Sequence, residues 1–278
     1  MNHAELRQWF YSQLTAFYAQ GELQSIYHWC VAELEDWNRA EAYMHSADLV
    51  AEAHLNRWKE TTKRLKKHEP IQYIFGKAQF MELELYVDAA VLIPRPETEE
   101  LVQLVLDHET SDVLKVLDIG TGSGCIPLAL KAARPNWRIS ACDVSPVALE
   151  VASKNAKALN LDVKLFQTDI REALHQVDFD VIVSNPPYIP VDRAESLEAN
   201  VLDFEPHIAL FGPAHDPFYF FTRIAEIAEK AGISKVYFET HATETALLCK
   251  QLKEVWTGEV CFENDISGKE RFVILCRA

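Results

Sequence analysis

No run of this 278-residue sequence is long and apolar enough to read as a membrane span. The opening stretch, "MNHAELRQWF", is polar and charged without an apolar centre, so it does not read as a signal peptide. The six cysteines (Cys30, Cys125, Cys142, Cys249, Cys261 and Cys276) include no C-x-x-C pair, and the ten histidines do not cluster with them. That scatter argues against a zinc site and suits buried, reduced thiols in a cytoplasmic protein; no metal is expected. Positive charge is scarce as well: 27 Lys and Arg face 42 Asp and Glu, for a formal net charge of -15. Such a surface repels phosphate backbones unless a local basic patch overrides it. The one candidate, "KRLKK" at residues 63–67, reads better as a solvated helix C-terminus, where cations suit the dipole. Internal repeats and low-complexity linkers are also absent.

What is present begins with helical periodicity. Leu6, Phe10, Leu14 and Phe17 form one apolar stripe, and Leu23, Ile26, Tyr27, Cys30 and Leu34 form another. Ser46 is placed to cap a third segment running from residue 47 to about 67, which ends before Glu69 and Pro70. These stripes are the packing surfaces of a small helical bundle. The texture changes at residue 71, where Gly76 separates two strand-like runs and residues 80–87 alternate roughly in period two. A β-hairpin joining two domains is expected there. "IPRPETEELV" then opens a helix, with Pro96 in its first turn and acidic residues near the positive end.

From residue 114 onward strands and helices alternate. "KVLDIG", "WRISACD", "VKLFQ", "FDVIVSN" and "KVYFET" read as strands, and residues 125–134, 146–160, 217–231 and 244–255 as helices. "GEVCFEN" and "RFVILCRA" are expected to close the sheet as a late antiparallel pair. Strands separated by helices imply a mostly parallel, doubly wound α/β sheet. The expected domains are a helical unit over residues 1–70, a hairpin linker over 71–94 and an α/β domain over 95–278.

Ligands of such sheets bind outside the carboxyl ends of the strands, and four loops lie on that edge. "DIGTGSG", residues 118–124, allows a tight turn and close backbone approach ahead of a helix N-terminus. Its spacing is G-x-G-x-G, neither the dinucleotide G-x-G-x-x-G nor a P-loop. Asp143 ends the next strand about twenty residues on, where an acid can accept both hydroxyls of an adenosine ribose. It could instead cap the following helix, although Ser145 can do that. Asp169 and Ile170 follow the third strand, where a side chain can flank an adenine ring; Asp169 could equally cap a helix. The fourth loop is "NPPY". Asn185 offers an amide oxygen and Pro186 a carbonyl of fixed direction, a two-acceptor fork for a planar NH2 group. Tyr188 can cover that plane and exclude water, although N-P-P could also be only a turn.

Together these residues resemble a class I S-adenosylmethionine-dependent methyltransferase of the amino-methylating kind. "PIQYIFGKAQF", "VLIPRPETEELV", "DIGTGSGCIPLAL", "DVSPVALEVASKNA", "FDVIVSNPPYIP" and "FEPHIALFG" look like the HemK/PrmC family, the N5-glutamine methyltransferases of peptide-chain release factors. The resemblance covers nearly the whole chain. It implies a Rossmann-like, mostly parallel seven-stranded sheet with a small N-terminal helical domain that recognises the substrate protein. Gly120, Thr121, Gly122, Ser123 and Gly124 would line the methionine part of S-adenosyl-L-methionine, Asp143 would hold the ribose and Ile170 would pack on adenine. Asn185, Pro186, Pro187 and Tyr188 would bind the glutamine of the Gly-Gly-Gln motif, with Asn185 and Pro186 acting in catalysis and Asn185 also near the cofactor. Class I release factors are the implied partners of a monomeric enzyme. Two segments depart from the family pattern, "THATETA" after the strand "KVYFE" and "PAHDP" after "ALFG".

Three other readings compete. Adenine's exocyclic amine presents the same two-donor plane, but a flipped base needs a basic groove that this acidic chain lacks. Glutamine methylation of a ribosomal protein would use the same fork. A cofactor-binding module without catalysis would leave Asn185 and Pro186 without a role.

Overall fold

The structure is a computed structural model describing residues 1–172, 174, 178–241 and 245–277. Helices α1 (His3–Leu14), α2 (Gln20–Glu35), α3 (Arg39–Met44), α4 (Glu52–Leu65) and α5 (Ile71–Phe75) come first. Strands β1 (Ala78–Phe80) and β2 (Leu83–Leu85) pair antiparallel, and α6 (Pro96–His108) follows. Then come β3 (Lys115–Ile119), α7 (Cys125–Ala133), β4 (Arg138–Asp143), α8 (Pro146–Ala158), β5 (Lys164–Gln167) and β6 (Val181–Ser184). A 3-10 turn (Val191–Ser196) leads to short helices α9 (Ala199–Leu202) and α10 (His207–Leu210). The chain continues through α11 (Tyr219–Ala231), β7 (Lys235–Glu239), α12 (Thr245–Val255), β8 (Glu259–Asn264) and β9 (Glu270–Cys276). Residue 244, the expected start of α12, lies outside the described residues, as do residues 242 and 243 of the "THATETA" segment. Two compact units result: Met1–Gly76 with Ala199–Phe204, and Lys77–Glu198 with Glu205–Ala278.

In the first unit, Leu6, Phe10 and Leu14 of α1 and Leu23, Ile26, Cys30 and Leu34 of α2 are buried with Trp58 and Leu65 of α4. The expected stripes are the packing faces, except that Phe17 lies beyond the end of α1 and is exposed. Two expectations are corrected here. Ser46 caps no helix: Asn38 caps the short α3 in a reciprocal capping box with Glu41, and α4 begins at Glu52. Residues 71–75 form a helix, not a strand. The Pro70 carbonyl accepts the Tyr73 and Ile74 N–H groups at 3.0 Å, and Gly76 at φ 69° supplies a left-handed C-cap. The hairpin is therefore confined to β1 and β2.

The second unit carries a seven-stranded sheet in the order β5-β4-β3-β6-β7-β9-β8. Only β9 runs antiparallel to its neighbours, β7 and β8; the other pairings are parallel. Alternate residues serve two core layers, as a covered parallel sheet requires. Val116, Val181 and Val183 face a layer with Leu101, Val105, Leu130 and Trp137, whereas Leu117, Ile182 and Phe238 face Phe221, Ile224 and Leu252. The topology switches at β3, which pairs with β4 on one side and β6 on the other. That crevice is where a ligand is expected.

Candidate active site

At the switch point Ile119 is in register with both Cys142 and Ser184, so three loops leave the sheet side by side. They line a cavity of about 370 Å³. Gly120 and Gly122 come from the loop after β3, Asp143 and Ser145 from that after β4, and Asp169, Ile170 and Arg171 follow β5. Asn185, Pro186 and Pro187 follow β6, and Leu92, Pro206, Ile208 and Phe211 are among the other lining residues.

Within the glycine loop the positions differ in role. Gly120 and Gly122 have φ of 77° and 54°, and a Cβ on either would meet nothing within 4 Å. Their missing side chains leave the cavity open to the backbone. At Gly124, by contrast, a Cβ would lie 3.2 Å from the Ala152 Cβ and Leu128 Cδ1, so this glycine permits close helix packing and does not line the cavity. Thr121 and Ser123 are buried behind the loop and do not line it either. Asn155, a buried polar residue on α8, was not singled out by the sequence. Its Nδ2 donates at 2.9 Å to the Ser123 and Tyr86 carbonyls, and its Oδ1 accepts the Tyr86 N–H at 2.7 Å.

Asp143 Oδ2 accepts the Gly122 N–H and its Oδ1 the Ser145 N–H, both at 2.9 Å. Ser145 in turn caps α8, its hydroxyl accepting the Ala148 N–H at 3.3 Å. Each Asp143 oxygen retains a second lone pair for an incoming hydroxyl. Burial pushes this carboxyl above its usual range, and the backbone N–H groups partly offset that. Asp118 lies deeper, wholly buried, with neither oxygen in a well-formed hydrogen bond. Burial lifts it to about 7, offset in part by the neighbouring Thr121 hydroxyl and reinforced by the Asp143 charge. Asp169 forms an ion pair with Arg171 at 2.6 Å and accepts its backbone N–H; residues 173 and 175–177, where a helix capped by Asp169 would run, lie outside the described residues. Ile170 is buried in the wall.

Asn185 Nδ2 donates to Thr98 Oγ1 at 3.2 Å, and Thr98 Oγ1 donates to Glu239 Oε2 at 2.6 Å. Burial lifts Glu239 to about 7 against the Thr98 hydrogen bond and the Arg271 charge. Tyr188 does not line the cavity; it packs partly buried against the core layer behind β6 and β7, its ring centroid 6.3 Å from that of His241. Backbone bonds from Ile189 to the Leu210 carbonyl and from Gly212 to the Ile189 carbonyl, both 3.1 Å, tie the segment after N-P-P-Y to "ALFG". Gly212 fits closely there: a Cβ would sit 3.3 Å from the Pro187 and Pro217 carbonyl oxygens, so a larger residue would make the backbone give by a few tenths of an ångström. The atypical "PAHDP" still closes a turn, with the Asp216 N–H on the Pro213 carbonyl at 3.1 Å and the Phe218 N–H on Asp216 Oδ1 at 3.0 Å.

On the cavity's other flank, buried Glu205 binds Arg95 at 2.6 Å and accepts the Ile93 N–H at 3.3 Å. Thr98 and Arg95 lie within the quoted "IPRPETE" and Glu239 ends "KVYFE", but no local pattern indicated that Thr98 and Glu239 would meet. Among the described residues no cluster of His, Cys, Asp or Glu could hold a metal ion, and no helix is long and apolar enough to cross a membrane.

Residues 98–201 match the methyltransferase small domain, and residues 5–76 match the PrmC N-terminal domain. The release factor glutamine methyltransferase of Flavobacterium psychrophilum is 34% identical over 272 residues, covering 95% of each chain. That of Lactococcus lactis is 40% identical over 217 residues, covering 77% of this chain and 80% of the relative. Among solved structures, the human Mettl16 catalytic domain bound to an RNA hairpin superposes with a TM-score of 0.57 at 16% identity, covering 82% of each chain. A methyltransferase from Pyrococcus furiosus does so with a TM-score of 0.52 at 16% identity, covering 79% of this chain and 99% of the other. These two likenesses are of fold.

Proposed function

The chain belongs to the release factor glutamine methyltransferase family, and from that premise we propose that it methylates N5 of the glutamine in the Gly-Gly-Gln motif of peptide-chain release factors. S-adenosyl-L-methionine is the cofactor and supplies an electrophilic methyl group on a sulfonium. The residues present fit it. Gly120 and Gly122 leave backbone open to the cavity, Asp143 keeps lone pairs for a ribose, and Ile170 offers an apolar wall for a base.

The observation that carries the reading is that Asn185 and Pro186 share one cavity wall with Gly120, Gly122 and Asp143. An amide nitrogen is a poor nucleophile because its lone pair is delocalised. Accepting both of its hydrogens, on the Asn185 side-chain oxygen and the Pro186 carbonyl, raises electron density on nitrogen and holds it toward the methyl donor. Such positioning and preorganised electrostatics supply several kcal/mol. The nitrogen becomes acidic as the new bond forms and releases one proton to water, so no base is required before attack. A lysine ammonium, with three donors and a charge, fits this fork badly.

Class I release factors are the proposed partners, recognised through the N-terminal helical unit, and the enzyme works in the cytoplasm beside them. The enzyme is proposed to act as a monomer. Intact-mass analysis of a release factor incubated with enzyme and S-adenosyl-L-methionine tests the reading. The expected result is a single added methyl, mapped by fragmentation to the Gly-Gly-Gln glutamine. Methyl appearing only on a ribosomal protein or on nucleic acid overturns it.

A further inference from the structure

We propose that Glu239 and Thr98 are positioning residues that decide which end of the Asn185 amide faces the substrate; the inference rests on the amide-methylation reading above. An asparagine amide has almost the same shape after half a turn about its last bond, so packing alone does not choose between oxygen and nitrogen. Hydrogen-bond polarity does. An ionised carboxylate can only accept, and a threonine hydroxyl has one proton to donate. That proton goes to Glu239 Oε2 at 2.6 Å. The Thr98 oxygen is left as an acceptor, and Asn185 Nδ2 donates to it at 3.2 Å. With Nδ2 committed to Thr98, the Asn185 oxygen is the amide atom left to serve the cavity that the residue lines. A reversed amide would set N–H against the substrate's own N–H and abolish the fork. Thr98 and Glu239 are 3% and 2% exposed, so bulk water does not compete for these bonds.

The same chain of bonds carries a pH dependence. Around Glu239 stand Thr98 and Glu97 on α6, Cys125 on α7, Asn185 and Tyr188 after β6, and Arg271 on β9, which is itself paired with Asp265 at 3.2 Å; the Asn185 amide also supports the ionised carboxylate directly. Arg271 favours the ionised carboxylate and Glu97 opposes it, while burial sets its titration at about 7. A protonated Glu239 can donate to Thr98, which frees the hydroxyl proton to point at Asn185 and releases the amide. Methyl transfer therefore falls as pH drops below about 7.

The test is single-turnover methyl transfer to a release factor at saturating S-adenosyl-L-methionine, followed about two pH units either side of neutrality. Calorimetry measures cofactor binding to the same samples. Thr98→Val is expected to slow transfer at least about tenfold, and Thr98→Ser to stay within about threefold of the native rate. Glu239→Gln, whose amide can donate or accept, is expected to slow transfer and lose the acid limb. That loss separates Glu239 from Asp118, which titrates in the same range. Cofactor affinity should stay within about threefold throughout. Native-rate transfer by a folded Thr98→Val enzyme, or Thr98→Ser as slow as Thr98→Val, overturns the inference alone. Should Thr98→Val not fold, an unchanged acid limb in Glu239→Gln does the same. A native enzyme that binds cofactor but never methylates a release factor sinks the parent reading and this inference with it.

Discussion

Asp143 Oδ2 accepts the Gly122 N–H at 2.9 Å, so the acid that ends β4 also holds the turn that leaves β3. One carboxylate thus shapes the glycine loop and faces the cavity. Binding and loop geometry cannot be separated at this residue.

Asp143→Ala is expected to weaken S-adenosyl-L-methionine binding by about 1.5–3 kcal/mol, the range for hydrogen bonds to charged groups. Asp143→Asn keeps one acceptor and should lose less. Calorimetry measures both, and an unchanged affinity for Asp143→Ala would put the ribose elsewhere.

Asn185→Ala removes an acceptor and leaves a buried substrate N–H unpaired, a penalty of about 1–3 kcal/mol. Methyl transfer should fall at least about tenfold, since 1.36 kcal/mol is one decade. Cofactor binding should change much less, because the glycine loop and Asp143 remain. A folded variant with near-native turnover would reduce N-P-P-Y to a turn.

The buried Asp118 makes the cofactor-free chain less stable as pH rises. Folded, its carboxyl holds a proton up to about 7, whereas unfolded it ionises near 3.8. Between those values the folded chain carries the extra proton, so this group's stabilisation is greatest below the lower pKa and falls toward the upper one. Glu239, lifted from 4.5 to about 7, acts in the same direction. Asp118→Asn should raise Tm at about pH 8 by at least about 2 °C and raise it less at about pH 5. Equal shifts at both pH values in calorimetric melts would refute this account.

The helical unit presents Tyr43, Met44 and Leu49 at 81%, 68% and 82% exposure, and α3 buries no side chain of its own. Replacing all three by serine should raise KM for a folded release factor about tenfold or more, a loss of about 1.4 kcal/mol. A short glutamine peptide should be methylated as before. Equal effects on both substrates would remove this surface from partner recognition.

Much of the site is legible in sequence because its signals are local. A glycine loop after an apolar strand, an acid ending the next strand and a rigid N-P-P turn each depend on a few contiguous residues and their allowed backbone. The helix starting at Pro96 and the cap at Ser145 are local in the same way, and both form. Residues 71–75 show the limit of that reading. Four apolar residues around Gln72 fit a strand or a helix, and the flanking Pro70 and Gly76 settle it as a helix.

Sequence by itself thus determined the alternation of elements, the mostly parallel sheet and which loops carry chemistry, because periodicity and turn chemistry act over short stretches. Tertiary structure alone decided how those loops divide their work. It set Gly120 and Gly122 against the cavity, Gly124 into helix packing, and Thr121, Ser123 and Tyr188 away from the cavity wall. It also brought Thr98 to Asn185 and to Glu239, across separations of 87 and 141 residues. Those meetings follow from the β6–β7 pairing and the packing of α6, and no local pattern encodes which buried donor will face which buried acceptor.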